Sequence, residues 1–212
     1  MNTLLNRRIL SAALFVSLVS LALTQPVLAH HPFGGTAPKD IFEGLFSGVG
    51  HPVVGFDHLA FVIAAGLLAA VVVGGWRIPA AFVIATLAGT GLHLAEFTLP
   101  MAETVIAASV LLFGALIVMR DRLNPLIAIL LASLAGVFHG YAYGEAVVGA
   151  EPTPLLAYLV GFASVQGAIA LATYLLARRS IDKSQSAGLV SVRQAGFTVL
   201  GVGIAFVGGL LV

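Results

Sequence analysis

Three ionisable side chains stand close together where a long hydrophobic segment begins. His51, Asp57 and His58 belong to the stretch HPVVGFDH, in a chain of which only 9% is charged. Imidazole nitrogen and carboxylate oxygen are ligands that divalent transition metals accept, and ionisable residues at membrane depth are costly to bury and usually functional. We therefore predict that this stretch is part of a metal-ion site. The alternative is a His–Asp pair that only caps and fastens a helix.

The spacing predicts how a single helix would present these groups. Pro52 suits the first turn of a helix, where its missing N–H costs nothing, so His51 is expected at the helix cap. His58 then lies two turns further along the same face. Asp57 is near the positive end of the helix dipole, which favours its ionised form, and Gly55 leaves room for a backbone or an ion.

Two later segments carry polar side chains at helical spacing. In the first, His93 and Glu96 end a polar stripe that begins at Thr86, and their separation of three residues suits sharing one ion. In the second, His139 is followed by Glu145. Both stripes have an alternative role in hydrogen bonding between helices. Glu145 is alternatively a solvated loop charge that attracts cations.

Three further residues are accessory candidates. His30 and His31 would start a processed chain, where a free amine beside two imidazoles suits metal capture; the alternative is a frayed end. Gln166 is expected near the middle of a hydrophobic segment. A packing hydrogen bond is the favoured role there, with metal binding as the alternative.

The elements that must position these residues are membrane helices. Hydrophobic residues make up 59% of the 212, and the mean hydropathy is +1.07, far above that of soluble domains. Apolar runs of about 17 to 23 residues match a hydrocarbon core of about 30 Å. We predict an all-α, polytopic membrane helical bundle with six transmembrane helices, at 52–73, 78–97, 103–119, 126–143, 154–177 and 191–212.

The N-terminus has the pattern of a signal peptide. Arg7 and Arg8 precede an apolar core, and the residues ending at Ala29 fit the small-x-small cleavage rule. Cleavage of residues 1–29 leaves 30–212 as a single six-helix transmembrane domain. The alternative is an uncleaved anchor helix.

A short amphipathic helix is predicted at 40–50, lying on the outer surface of the membrane. Asp40 and Glu43 resemble a capping box, and the apolar residues that follow fall on one face. The segment is too short to span.

Positive charge is distributed asymmetrically between the predicted loops. An exported N-terminus puts seven cations on the inner side, against only Lys39 outside. The positive-inside rule therefore predicts that the mature N-terminus is outside. The rule also places the histidines of the predicted spans on the outer side. The expected location is a bacterial inner (plasma) membrane. The seven inner cations are Arg77, Arg120, Arg122, Arg178, Arg179, Lys183 and Arg193.

Composition and motifs exclude several classes. The net charge of +1 gives no electrostatic basis for nucleic-acid binding. Because cysteine is absent, any metal must be held by nitrogen or oxygen ligands. The motifs G-x-x-x-x-G-K-[ST], H-E-x-x-H and G-x-S-x-G do not occur, so we expect neither ATP hydrolysis nor other catalysis. No prosthetic group is expected, and the sequence is compatible with a homo-oligomer.

The stretch HPVVGFDHLAFVIAAG at 51–66 resembles the signature of the HupE/UreJ family, in which five residues separate a histidine from Asp-His. The resemblance continues over the mature chain in the six spans, in HLAEF at 93–97 and in FHG at 138–140. One departure is that Tyr141 and Tyr143 stand where many relatives have another histidine. The residues that the resemblance implies as metal-handling are His51, Asp57 and His58, and less directly His93, Glu96, His139 and Glu145.

The HupE/UreJ family is regarded as one of secondary nickel or cobalt permeases. The resemblance thus implies a transporter that moves Ni²⁺ or Co²⁺ inward, with Zn²⁺ less favoured. Because no ATP-hydrolysis motif occurs, the membrane potential is the expected driving force. Its partners would be the divalent ion and the lipid bilayer. Two alternatives remain: a membrane sensor or storage protein that binds metal without moving it, and an intramembrane metalloenzyme.

Overall fold

The computed structural model describes residues 36–119 and 123–211, which form seven α-helices and, within these ranges, no strand. The all-α fold class predicted from composition is confirmed. The predicted signal peptide, His30 and His31 lie outside the described residues. In chain order the helices are α1 (Ile41–Val54), α2 (Phe56–Val71), α3 (Arg77–Leu94), α4 (Ala102–Val118), α5 (Pro125–Glu145), α6 (Pro152–Lys183) and α7 (Gln185–Gly209).

Helix α1 begins at the predicted cap. The Asp40 carboxylate accepts hydrogen bonds from the backbone N–H groups of Phe42 (2.8 Å) and Glu43 (2.9 Å), and Glu43 accepts one from the N–H of Lys39 (2.8 Å). These bonds satisfy donors that a first turn leaves open. The face of large apolar side chains is exposed, whereas small residues pack on α6. The small residues that α1 buries are Gly44, Ser47 and Gly48.

The first predicted span, 52–73, does not begin at Pro52. Helix α1 includes Pro52, and α2 starts only after Gly55, which has an extended backbone (φ −72°, ψ 99°). The two axes differ by 78°. Because proline gives no N–H to the preceding turn, it weakens the end of α1. The prediction that His51 caps the same helix that carries His58 is therefore wrong.

Helices α1 and α2 follow α6 one after the other. Gly44 of α1 packs on the backbone of Pro154, near the start of α6, and Gly66 of α2 packs on Ala170, four turns further along. Near the end of α6, the guanidinium of Arg178 donates to the carbonyl of Ala70 at 3.4 Å. Going from α1 to α2, the contacts move steadily from the start of α6 towards its end. This order favours a single broken span. The segment predicted as a short surface helix is thus longer, and it packs along the bundle.

The helices support a multi-pass membrane protein. Four of them (α3, α5, α6 and α7) are long and apolar enough to cross a membrane, and α1 with α2 makes a fifth candidate. Helix α4 is apolar but has only 17 residues. By this criterion the part of the chain that the structure describes holds four to five candidate spans, and the predicted six are not reached.

The inner loop expected between the last two predicted spans, at 178–190, is helical. Helix α6 runs for 32 residues, and only Ser184 separates it from α7. Arg178 lies 3.3 Å from Asp182 one turn on, and such an exposed pair adds a few tenths of a kcal/mol to a helix at most. Polar residues taken as loop-forming instead continue the helix beyond its apolar part.

Helices α3 and α5 approach closely through glycines. Gly89 packs on the backbone of Val137, and Gly140 packs on the backbone of Thr86. The Thr90 hydroxyl donates to the carbonyl of Gly140 at 2.8 Å. Thr90 of the polar stripe on α3 therefore forms a hydrogen bond between helices, which was the alternative to metal binding.

Three phenyl rings form a layer in the apolar core, here called the phenyl layer: Phe61 of α2, Phe82 of α3 and Phe113 of α4. The Phe61 centroid lies 4.6 Å from that of Phe82 and 4.4 Å from that of Phe113. All three side chains are buried. Their contacts join three helices that follow one another in the chain.

Substituting Gly140 by alanine is expected to destabilise the protein. A methyl group there would strike the backbone of Thr86, so α3 and α5 must separate, at a cost of about 1–3 kcal/mol in the free energy of unfolding. The matched control is Gly91→Ala, because a methyl group at Gly91 meets no atom within 4 Å. Thermal unfolding of the purified protein should show a lower midpoint for Gly140→Ala and an unchanged or higher one for Gly91→Ala. Equal midpoints would contradict the described packing.

Candidate functional site

Three histidines from three helices meet inside the bundle and form the histidine cluster: His51 from the last turn of α1, His58 from the first turn of α2, and His139 from α5. Each has an exposed fraction of 0%. The ring centroids of His51 and His58 lie 5.7 Å apart, and those of His58 and His139 lie 4.9 Å apart. The break at Gly55, and not the predicted helical spacing, brings His51 next to His58.

A chain of short contacts joins two of these rings to α4. Nδ1 of His58 lies 2.8 Å from Nδ1 of His139. Nε2 of His139 lies 3.0 Å from the hydroxyl oxygen of Ser109. That hydroxyl donates to the carbonyl of Ile106 in its own helix at 2.7 Å. Both ring nitrogens of His139 are therefore engaged.

Two buried tyrosines surround the first histidine. The Tyr158 hydroxyl oxygen lies 2.8 Å from Nδ1 of His51, and the hydroxyl donates to the carbonyl of Tyr143 at 2.9 Å. The ring of Tyr143 packs edge-on against His51 and His58, with centroid distances of 4.9 and 4.6 Å. Its own hydroxyl donates to Oε1 of Gln166 at 3.3 Å. Tyr143, which departs from the family pattern, therefore lies within the site.

Gln166 has the packing role that the sequence favoured. Its Nε2 donates to the carbonyl of Phe162 in α6 at 3.1 Å, while its Oε1 accepts from Tyr143. The side chain is fully buried. It thus ties Tyr143 of α5 to α6.

Asp57 and Gly55 shape the start of α2. The Asp57 carboxylate is half-buried and accepts a hydrogen bond from the backbone N–H of His58 at 2.8 Å. A Cβ at Gly55 would lie 2.6 Å from Cδ2 of the His58 ring. The expected room at Gly55 is therefore taken by the imidazole of its own chain.

His93 and Glu96 line a separate open pocket of about 360 Å³. Helix α3 ends at Leu94, and Glu96 is exposed with a left-handed backbone (φ 61°). The prediction that both occupy one helical face is wrong, because the helix has ended before Glu96. The His93 ring packs at a tilt of 57° against that of Tyr141, with a centroid distance of 4.5 Å. Nδ1 of His93 is buried and has no hydrogen-bond partner among the residues described.

No complete cage for a metal is formed within 36–119 and 123–211: no group of three or more His, Cys, Asp or Glu side chains is arranged to hold an ion. Glu145 ends α5 and is exposed, away from the buried rings. The metal role of the predicted residues remains a prediction.

Sequence reasoning missed two residues of the site, Ser109 and Tyr158. Ser109 stands between apolar residues in an apolar helix, which gives no signal. Tyr158 lies 107 positions from His51 in the chain, so only the packing of α1 on α6 brings them together. Tyr143 carried a signal, since it stands four residues after His139 and so lies near it on one helical face.

The fold and the site define a multi-pass helical membrane protein with a buried histidine cluster. The family described as HupE / UreJ protein matches residues 18–206. The chain is also 31% identical over 192 residues to Protein HupE of Rhizobium leguminosarum bv. viciae, an alignment that covers 89% of this chain and 94% of that protein. The chain therefore belongs to the HupE/UreJ family, as the motifs indicated. No solved structure matches it.

The hydrogen bond between Tyr143 and Gln166 can be tested by a double-mutant cycle. Gln166→Leu strands the buried Tyr143 hydroxyl and should lower the free energy of unfolding by about 1–3 kcal/mol. Adding Tyr143→Phe removes the stranded group, so the double variant should lose less than the sum of the single losses, by about 0.5–1.5 kcal/mol. The exposed Gln194→Leu should stay within about 0.5 kcal/mol of wild type. Additive losses in thermal or denaturant unfolding would show that the bond does not form.

Proposed function

We propose that this protein is a secondary transporter, a permease that moves a divalent transition-metal ion, Ni²⁺ or Co²⁺, inward across the membrane. The observation that carries the proposal is the fully buried pair His51 and His58, held at the break in a membrane-length helix pair. Imidazoles at that depth are costly. Membership of the HupE/UreJ family supports the same function.

The separation of the two rings suits one bridging ion. A metal about 2.1 Å from an imidazole nitrogen lies roughly 3.2 Å from the ring centre. Two rings on one ion then have centroids roughly 4.5 Å apart at a right angle and roughly 6.4 Å apart on opposite sides. The observed 5.7 Å between His51 and His58 falls inside this range.

The break in the helix also favours a cation. Transporters commonly build ion sites from discontinuous helices, with the carbonyl end of one half turned towards the cation. The last turn of α1, at its carbonyl end, carries His51 of the cluster. At the positive end of α2, Asp57 accepts from the first turn and offsets the unfavourable dipole.

The pocket of His93 and Glu96 is proposed as the place where the ion is first captured. An exposed carboxylate and a partly exposed imidazole supply oxygen and nitrogen ligands there. Gly144, which forms a wall against the His93 side chain, is adjacent in the chain to Tyr143 of the buried site. Helix α5 therefore contacts both the capture pocket, through Gly144, and the histidine cluster, through Tyr143.

The membrane potential is the proposed driving force. It supplies about 2.3 kcal/mol per charge at 100 mV, hence roughly 4.6 kcal/mol for a divalent ion. Nitrogen and oxygen ligands suit both Ni²⁺ and Co²⁺, which are neighbours in the order of affinities.

Metal uptake should depend on His51 and His58. In proteoliposomes with an inside-negative potential, we expect His51→Ala, His58→Ala and the double variant Asp57→Ala/His58→Ala to lose more than about 90% of Ni²⁺ or Co²⁺ uptake, because removing one ligand of a bound ion costs several kcal/mol. Thr173→Ala, a half-buried residue that bonds within its own helix, is the control and should retain uptake. Uptake by the Asp57/His58 double variant would refute the site. Binding without flux in wild type would favour a sensor or storage protein.

Substitutions in the capture pocket should act mainly on KM. Glu96→Gln and His93→Ala each remove a ligand from the open pocket, so we expect KM for uptake to rise about 3- to 10-fold, corresponding to about 0.7–1.4 kcal/mol of initial binding, with little change in maximal rate. Glu103→Gln, an exposed carboxylate in the first turn of α4, is the matched control. An unchanged KM in both pocket variants would remove the pocket from the pathway.

A further inference from the structure

The protons of two buried hydroxyls determine which nitrogen of each clustered histidine carries a lone pair. A hydroxyl has one proton to donate, and a carbonyl oxygen can only accept. Ser109 donates to the carbonyl of Ile106, and Tyr158 donates to that of Tyr143. Towards the histidines, both hydroxyl oxygens must therefore act as acceptors.

The Ser109 branch determines two tautomers in succession. Nε2 of His139, 3.0 Å from the Ser109 oxygen, must carry the proton that this oxygen accepts. In a neutral imidazole the other nitrogen, Nδ1, then holds the lone pair. Nδ1 of His58, 2.8 Å from it, must be the donor. The lone pair of His58 is consequently on Nε2.

The Tyr158 branch gives the same result at the third ring. Nδ1 of His51 lies 2.8 Å from the Tyr158 oxygen, so Nδ1 carries the proton and Nε2 the lone pair. Two separate chains, one starting in α4 and one in α6, therefore lead to the same tautomer at His51 and His58.

We infer that His51 and His58 are held as Nδ1–H tautomers that present Nε2 to the ion, and that His139, Ser109 and Tyr158 are positioning residues. The inference rests on the proposed transport of a metal ion, and it changes the role of His139. The sequence suggested a ligand, but both nitrogens of His139 are used in orienting His58 and bonding Ser109. Such outer partners fix the ring orientation and tautomer of metal-binding histidines.

The tautomers can be measured without metal. In metal-free protein labelled with ¹⁵N in its histidine rings, long-range ¹H–¹⁵N NMR spectra distinguish Nδ1–H from Nε2–H, and single substitutions assign the signals. We expect Nδ1–H at His51 and His58 and Nε2–H at His139. The opposite tautomer at His58 or His139, or an imidazolium at any of the three, would overturn the inference.

Removing either hydroxyl should allow both tautomers of the histidine beside it, while every proposed metal ligand is kept. Ser109→Ala should give mixed tautomers at His139 and His58, and Tyr158→Phe should do so at His51. Each should weaken metal binding about 10- to 100-fold, as expected for outer partners of a metal ligand. The controls are Ser133→Ala and Tyr174→Phe: Ser133 also donates to a carbonyl of its own helix, and Tyr174 is on α6 with Tyr158. Unchanged tautomers in both hydroxyl variants would contradict the inference that the two hydroxyls determine them.

Substitutions of His139 test whether it is a positioning residue or a metal ligand. The side-chain oxygen of asparagine can replace Nδ1 as the acceptor for His58, so His139→Asn should keep the Nδ1–H tautomer of His58 and retain more metal binding than His139→Leu. X-ray absorption of the Ni²⁺-loaded protein should count the same number of imidazole ligands in wild type and in His139→Asn. A count lower by one would make His139 a ligand and overturn the assignment.

The two proposals fail in different ways. If the three tautomers are found but vesicles accumulate neither Ni²⁺ nor Co²⁺, the transport proposal is wrong and the assigned tautomers stand. If uptake depends on His51 and His58 while His139 carries its proton on Nδ1, the transport proposal stands and the assigned tautomers are wrong.

Discussion

The site depends on the need of every buried polar atom for a partner. In an apolar bundle an unmade hydrogen bond costs about 1–3 kcal/mol, and the cluster offers few partners besides its own members. Two backbone carbonyls therefore fix the direction of its hydrogen bonds: those of Ile106 and Tyr143 accept the hydroxyl protons of Ser109 and Tyr158. The directions of the bonds to the histidines follow from these two fixed points.

Such bonds require helices that approach closely and elements that end at the correct depth. Glycines let α1 pack on α6 and let α3 pack on α5, where larger side chains would hold the backbones apart. The end of α1 at Gly55 then brings His51 next to the first turn of α2. A continuous helix would have held His51 and His58 about 10 Å apart along its axis, at 1.5 Å per residue, whereas the ring centroids are 5.7 Å apart.

The sequence allowed part of this arrangement to be predicted. Helices and the membrane class follow from run length and composition, which depend only on local chemistry and on the thickness of a bilayer. The prediction placed His51 and His58 two turns apart on one continuous helix, whereas the break at Gly55 brings them close together. Pro52 followed by Gly55 was the available signal for a break. Tyr158 and Ser109 were not predictable, because their roles depend on partners 107 and 30 residues away in the chain.

The phenyl layer has a consequence for the kinetics of permeation. His139 contacts two of its rings, with centroid distances of 4.8 Å to Phe61 and 5.4 Å to Phe82. Because phenyl rings offer no oxygen or nitrogen ligand to an ion, this layer would be a barrier on the proposed ion pathway. In the proposed transport, an ion leaving the histidines in that direction would have to wait for the rings to separate. Each passage would then take the microseconds to milliseconds of a collective protein motion, which is the rate of a carrier and not that of an open channel.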